Sequence, residues 1–261
     1  MQLEHAYTDN VIMEIYQKFG YSIPSNINPQ SYTKIFNDDG FYARKMNGEF
    51  VINSPFIVNG HFEEGTSITY KFDVKHDFEG MINLYQAGVK SCYKNKLCDT
   101  QIVGNFKNQL DNWFARGNIC GKLQDFTHCI GEYIQSNEIA QHVPYLYTVI
   151  GYPELTCKII QQTAKFFTNS TDGIPGNDDA GQMSAWLIFA AMGMHPVNSS
   201  SNIYILGCPI YSEDLKVGNV KVTRSGTGYK PTYYWNQVLY PHLYITHEQL
   251  VIGGHFHVEL N

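Results

Sequence analysis

The chain has 261 residues, 43% of them hydrophobic and 16% charged, with a net charge of −6. That is enough apolar matter for one large domain or two small ones, which excludes a disordered chain, and the dispersed Lys and Arg leave no basic stripe for a nucleic-acid backbone. No run approaches the roughly 18 apolar residues of a membrane span, and Met1-Gln2-Leu3-Glu4 opens with neither a basic segment nor an apolar stretch behind it, so no export signal is read here.

The first predicted element runs from Tyr7 to Phe19, where Val11, Ile12, Ile15, Tyr16 and Phe19 recur at the one-sided spacing of an amphipathic helix that Gly20 stops. A Pro- and Asn-rich stretch over 23–29 delays a second helix, predicted over 30–36, and 38–60 reads as a loop with short extended pieces. Further helices are predicted over 66–71, 78–84, 102–116, 121–133, 144–150, 153–167 and 180–194. After Pro196 the pattern changes to period two, with strands predicted over 203–206, 215–223, 233–238, 243–246 and 255–260, punctuated by Gly207, Gly218-Asn219, Ser225-Gly226 and Gly253-Gly254. Helices first and strands last imply segregated regions rather than a βαβ sheet: a helical part over 1–196 and a small antiparallel β module over 197–261.

The densest chemistry lies in Asp172 to Trp186, D-G-I-P-G-N-D-D-A-G-Q-M-S-A-W, where Gly-bearing turns precede adjacent carboxylates at the start of an apolar helix. An Asp there caps orphan N–H groups and complements the helix dipole. One Asp suffices for that, and a second carboxylate in a Gly-rich loop suits acid–base or cation chemistry. Glu138 and His142 stand four apart, which is either an ordinary helix-surface pair or, with Pro144 so close, part of a loop. His255 and His257 alternate on a predicted strand with His242 and His247 upstream, but no further ligand stands at metal spacing, so a solvated strand face is favoured over a zinc site.

Six cysteines, at 92, 98, 120, 129, 157 and 208, form no CxxC pair and read first as buried thiols. Cys92 with Cys98, or Cys120 with Cys129, are pairs that an oxidising compartment would allow. The sequons at Asn169 and Asn198 take glycans only in a secretory pathway.

Short strings along the chain carry a resemblance. They are L-E-H-A-Y-T-D at 3–9, D-G-F-Y-A-R-K at 39–45, F-E-E-G at 62–65, V-K-H-D at 74–77, N-E-I-A-Q-H-V-P-Y-L-Y at 137–147, the 172–186 segment, and Y-I-L-G-C-P at 204–209. In this order they resemble glycoside hydrolase family 92, calcium-dependent α-mannosidases that release mannose with inversion. The resemblance implies a mainly α chain forming part of an (α/α)6 toroid, followed by a small antiparallel β region. The family's N-terminal β-sandwich and first toroid half would be missing, leaving apolar helix faces exposed as an interface.

The resemblance also assigns the site. Glu64 matches the proposed acid, with Glu63 its solvated neighbour, and the base falls on Asp179 with Asp178 second. An inverting pair of carboxyls stands about 6.5–9.5 Å apart. Asn137 and Glu138 are implied as calcium ligands, with an oxygen from Asp178 or Asp179, because calcium prefers hard oxygens. His142, His76 and Asn177 are implied at the sugar. Some members carry an Asp where this chain has Asn177, and Ile68 and Thr69 stand where a Trp-Gln pair is common. The implied activity is exo-α-mannosidase of α-1,2 type on N-glycan or mannan mannose, outside the cell or in the periplasm. The alternatives are a non-catalytic carbohydrate-binding relative and an interaction module.

Overall fold

The computed structural model describes residues 2–37, 40–51, 62, 64–87, 106–117, 120, 127–198 and 200–261. They form two compact units: Met1–Gln124 with Gly131–Tyr133, and Asp125–Ile130 with Ile134–Asn261. Among the described residues no helix is long and apolar enough to cross a membrane.

The first unit opens with α1 (Gln2–Lys18). Its buried residues are Leu3, Ala6 and Asn10, spaced along one face, whereas Ile15 is 48% and Phe19 66% exposed. The apolar stripe that predicts this helix is therefore not the face the unit buries. The helix expected over 30–36 is a single 3-10 turn, Ser31–Ile35. Strands β1 (Lys45–Met46) and β2 (Glu49–Phe50) form a hairpin whose two turn residues, Asn47 and Gly48, both have positive φ, as a twisted two-residue turn requires.

Asp77 starts α2 (Phe78–Ala87): its Oδ1 accepts from the Gly80 N–H at 2.8 Å and its Oδ2 from the Tyr32 hydroxyl at 2.7 Å. Helix α3 (Phe106–Ala115) realises the described part of the helix predicted over 102–116. Phe72, Tyr85, Phe106, Trp113 and Tyr133 pack ring against ring into an aromatic core. The helix expected over 66–71 is a run of turns instead. There the Thr66 hydroxyl accepts from the N–H groups of Ile68 and Thr69, side-chain bonds that compete with a helical ladder.

Where a helix was expected over 121–133, residues 127–133 enter two short paired strands, β3 (Cys129–Ile130) and β4 (Tyr133–Ile134), turned through Gly131 at φ +63°. Residues 121–126 lie outside those described. Two 3-10 turns, Glu138–Ala140 and Val143–Tyr145, follow, then α4 (Leu146–Val149), α5 (Pro153–Ala164) and α6 (Gln182–Met192). Left-handed Gly181 and Gly193 bound α6 at both ends.

Strand β5 (Met194–His195) pairs with β6 (Ile203–Leu206), which pairs with β11 (Tyr244–Thr246). The larger sheet contains β7 (Leu215–Val217), β8 (Val220–Gly226), β9 (Pro231–Trp235), β10 (Val238–Leu239) and β12 (Gly254–Leu260), in the order β10-β9-β12-β8-β7. It is mixed rather than antiparallel throughout. After the β9–β10 hairpin, β11 and a short helix, β12 enters between β9 and β8, antiparallel to the first and parallel to the second from Gly254↔Val220 to Leu260↔Gly226. That helix, α7 (His247–Ile252), was not predicted; Thr246 and Gln249 form its capping box.

The core of this unit joins Val220, Val222, Tyr233, Phe256, Val258 and Leu260 of the sheet to Cys157 of α5 and Met192 of α6. The change from helices to strands at 196/197 thus falls inside the second unit.

Candidate active site

The signature segment enters α6 through Gly176, at φ +71°. A Cβ there would lie 2.8 Å from the Ser136 Cβ, so the loop's backbone rests directly on the residue before Asn137. Beyond it, Asp179, Ala180 and Gly181 have φ values of 43, 57 and 91°. Two successive non-glycine residues in the left-handed region cost on the order of 1–2 kcal/mol each, strain that is characteristic of functional loops.

The two neighbouring carboxylates take different roles. Asp178 Oδ1 accepts from the Ser184 N–H at 2.9 Å and the Ser184 hydroxyl at 2.7 Å, and so caps the first turn of α6. The Asp179 side chain is exposed and has no hydrogen-bond partner among the described residues. Opposite stability effects follow: Asp178→Ala is expected to cost about 1 kcal/mol through the lost cap, and Asp179→Gly to gain about 1 kcal/mol by removing the Cβ at positive φ. Urea midpoints check both. A destabilising Asp179→Gly would contradict the strain.

The 135–142 segment is held against the start of α6 by amides that the sequence patterns did not single out. Buried Gln141 is the hub. Its Nε2 donates to the Met183 sulfur at 3.3 Å, its Oε1 accepts from Gln182 Nε2 at 3.2 Å, and its carbonyl accepts from the Trp186 indole at 3.2 Å. Gln135 Nε2 also reaches the Met183 sulfur, at 3.2 Å. The available signal was Gln182-Met183 opening an apolar helix; Gln141, between Ala140 and His142 in a largely polar segment, gave none.

Glu138 and His142 are not a helix-surface pair. They sit at successive 3-10 turns, with Pro144 inside the second. Asn137 Oδ1 accepts from the Ile139 N–H at 3.4 Å at the head of the first turn. Asn137 and His142 are buried, and Glu138 keeps one carboxylate oxygen shielded from solvent. The segment that carries Asn137, Glu138 and His142 thus meets the loop that carries Asn177, Asp178 and Asp179 at the Ser136–Gly176 contact.

In the first unit Glu64 is exposed, also at positive φ, 46°. Behind it a Cβ on Gly65 would meet Thr69 Oγ1 and the Tyr70 ring at 2.7 Å, so the acid stands on a tightly packed turn. The Ile68 carbonyl accepts from the Trp113 indole at 3.0 Å and fixes that turn to α3. Glu63 lies outside the described residues. His76 Nε2 donates to the Pro29 carbonyl at 2.8 Å, and burial pushes its imidazole pKa down, toward the neutral form. Its ring packs edge-on to Tyr32, and Asp73 beside it is paired with Lys75 at 2.9 Å.

On the C-terminal sheet, His255 Nε2 and His257 Nδ1 each lie 2.7 Å from the Thr223 hydroxyl, and His257 Nε2 lies 3.1 Å from Ser225 Oγ. These histidines satisfy one another through hydroxyls. Among the described residues, no group of three or more His, Cys, Asp or Glu is placed to hold a metal ion.

The strained loop rests on the residue that precedes Asn137, and comparison with known proteins gives the chain a family. The chain matches the glycosyl hydrolase family 92 catalytic domain over residues 1–261. It aligns over 99% of its length with 35% of the family 92 α-mannosidase BT3965 of Bacteroides thetaiotaomicron, solved with mannoimidazole, at 26% identity and a TM-score of 0.79. The family 92 inverting mannosidase BT2199 of the same organism, at 24% identity and a TM-score of 0.76, shares the fold over 100% of this chain and 37% of its own. An uncharacterized secreted glycosidase of Arthroderma benhamiae is 28% identical over 142 residues, 50% of this chain and 18% of that protein. The chain belongs to glycosyl hydrolase family 92. It spans about a third of the length of the solved relatives it matches.

Proposed function

We propose that the chain carries the acid and the base of a calcium-dependent, inverting exo-α-mannosidase of α-1,2 type, acting on terminal mannose of N-glycans or mannan. In this reading it forms the second half of an (α/α)6 toroid, and further sequence supplies an N-terminal β-sandwich and the first half. The observation that carries the reading is the division of labour at 178–179: one carboxylate caps a helix, and its neighbour is held exposed at a backbone cost on a loop that rests on Ser136, next to Asn137 and Glu138 in the chain. The mannosidase neighbours support the substrate.

In the reaction Glu64 protonates the glycosidic oxygen as the bond to the anomeric carbon breaks. Asp179 takes a proton from a water attacking that carbon from the opposite face, and the configuration inverts. Exchange with solvent then returns a proton to Glu64 and removes one from Asp179. His142 and the Asn177 amide hydrogen-bond sugar hydroxyls, orienting the ring; His76 does not join them, since its Nε2 is engaged by the Pro29 carbonyl and its Nδ1 is shielded from solvent.

Asn137, Glu138 and one of Asp178 and Asp179 would offer the hard oxygens calcium prefers, with water completing its six to eight ligands, although Glu138, Asp178 and Asp179 are not gathered into one metal-holding group among the described residues. When bound, the ion supplies fixed positive charge that orients the sugar's hydroxyls. Calcium at a hundredfold above its Kd is expected to stabilise the chain by about 2.7 kcal/mol, seen as a raised Tm that chelator reverses and Glu138→Gln removes. Superimposable melting curves with calcium and with chelator would sink the calcium assignment.

Asn177, an amide where some members carry an acid, together with the smaller Ile68 and Thr69, favours a second reading as a carbohydrate-binding relative. The disulfide-bonded state of Cys120 and Cys129 and the secreted relative support an extracellular or periplasmic location.

A further inference from the structure

Two other cysteines of the second unit lie outside the mechanism. Cys157, on α5, and Cys208, just after β6, are free thiols with no solvent exposure, and both belong to the core cluster beneath the five-stranded sheet. Several contacts bring their backbones together. A Cβ on Gly207 would lie 3.3 Å from Thr156 Cγ2, so the residues preceding the two cysteines touch. Thr148 Oγ1 donates to the Leu206 carbonyl at 2.8 Å and also pairs with Thr156 Oγ1 at 2.8 Å. Gln161, one turn beyond Cys157 on the same face of α5, donates to the Cys208 sulfur at 3.6 Å.

We propose that Cys157 and Cys208 are a disulfide-forming pair whose oxidation closes a covalent loop around the entire 172–186 signature segment. In the first step a thiolate of the pair attacks the disulfide of an oxidised thiol–disulfide oxidoreductase, or of oxidised glutathione, giving a mixed disulfide. The second thiolate displaces it. One S–S bond replaces two S–H bonds, two protons go to solvent, and the two electrons reduce the oxidant's disulfide to two thiols.

The order of events follows from burial. In the finished fold burial pushes the Cys157 thiol pKa well up, so little thiolate forms and no oxidant reaches it. The bond therefore forms while the chain is still closing, before Phe256, Tyr233 and Val222 seal the core, and the redox state is fixed at folding. A loop closed across these residues limits the unfolded chain, so it protects the carboxylate loop without touching it.

The test uses this chain made in an oxidising and in a reducing compartment, denatured in iodoacetamide and mapped by peptide mass spectrometry. The expected result is a 157–208 linked peptide in the oxidised preparation only, with an unfolding midpoint about 10 °C above that of the reduced preparation. Cys157→Ser is expected to lower the midpoint of the oxidised preparation, leaving only the contribution of the Cys120 and Cys129 disulfide state, and to leave Cys208 alkylated. Complete alkylation of both cysteines in a preparation whose Cys120 and Cys129 are disulfide-bonded would overturn the pairing, as would a linked peptide joining either one to another cysteine. The unmutated protein decides the matter even if the variant fails to fold.

Discussion

Glu64→Gln and Asp179→Asn are each expected to lower kcat on a mannobiose by 10²- to 10⁴-fold in the complete enzyme, the range a positioned general acid or base contributes. The two losses differ in kind. Glu64→Gln removes the proton for the leaving oxygen, so an aryl mannoside with a highly acidic phenol, which departs unaided, should recover most of the lost rate. Asp179→Asn removes water activation, so the same aryl substrate should stay slow, while azide, a nucleophile that needs no base, should restore turnover as the inverted mannosyl azide. The structure gives each substitution a clean background. Both side chains are exposed and on turns already fixed by other residues, Glu64 by Gly65 and Thr69, Asp179 by the Asp178–Ser184 cap. Equal losses on activated and unactivated substrates for Glu64→Gln would remove it from the acid role.

The residues differ in how much of this was legible from sequence. Strong period-two segments with glycine at their ends, such as 203–206 and 255–260, became strands within a residue or two, because alternation leaves a sheet face little freedom. Parallel pairing of β12 with β8 was not legible, since strand order depends on which edge is open when the last segment docks, and no local pattern encodes that. Segment 66–71 misled because its spacing is compatible with a helix, while Thr66 and Thr69 turn the backbone by bonds that a periodicity reading ignores.

At the site, the pair Asp178-Asp179 was visible as chemistry, but its division into a helix cap and an exposed, strained neighbour was not. That division depends on Asp179 adopting positive φ, a conformation that sequence propensity assigns to Gly or Asn first. The glutamine brace was invisible for a similar reason. Gln135, Gln141 and Gln182 are unremarkable one by one, and become a connection only when two segments some forty residues apart in sequence are packed together.

The isolated 261-residue chain is expected to release little or no mannose. Transition-state stabilisation in a glycosidase depends on the sugar being gripped around its whole ring, and a misplacement of about 1 Å can cost roughly a hundredfold. The chain aligns with 35% of an α-mannosidase solved with mannoimidazole, so about two thirds of that relative's chain has no counterpart in these 261 residues. Ile15 on α1 and Phe19 just after it, both exposed, offer apolar surface that such a complement could cover. Supplying an N-terminal half, in cis or in trans, should therefore produce calcium-dependent mannose release, and Glu64→Gln should then abolish most of it. Measured by mannose release with and without the complement, robust calcium-dependent activity of the isolated chain would refute the requirement for the missing half while keeping the mannosidase assignment. Persistent inactivity after complementation, with mannose still bound, would instead favour the carbohydrate-binding relative and locate the defect at Asn177 and the Ile68-Thr69 substitution.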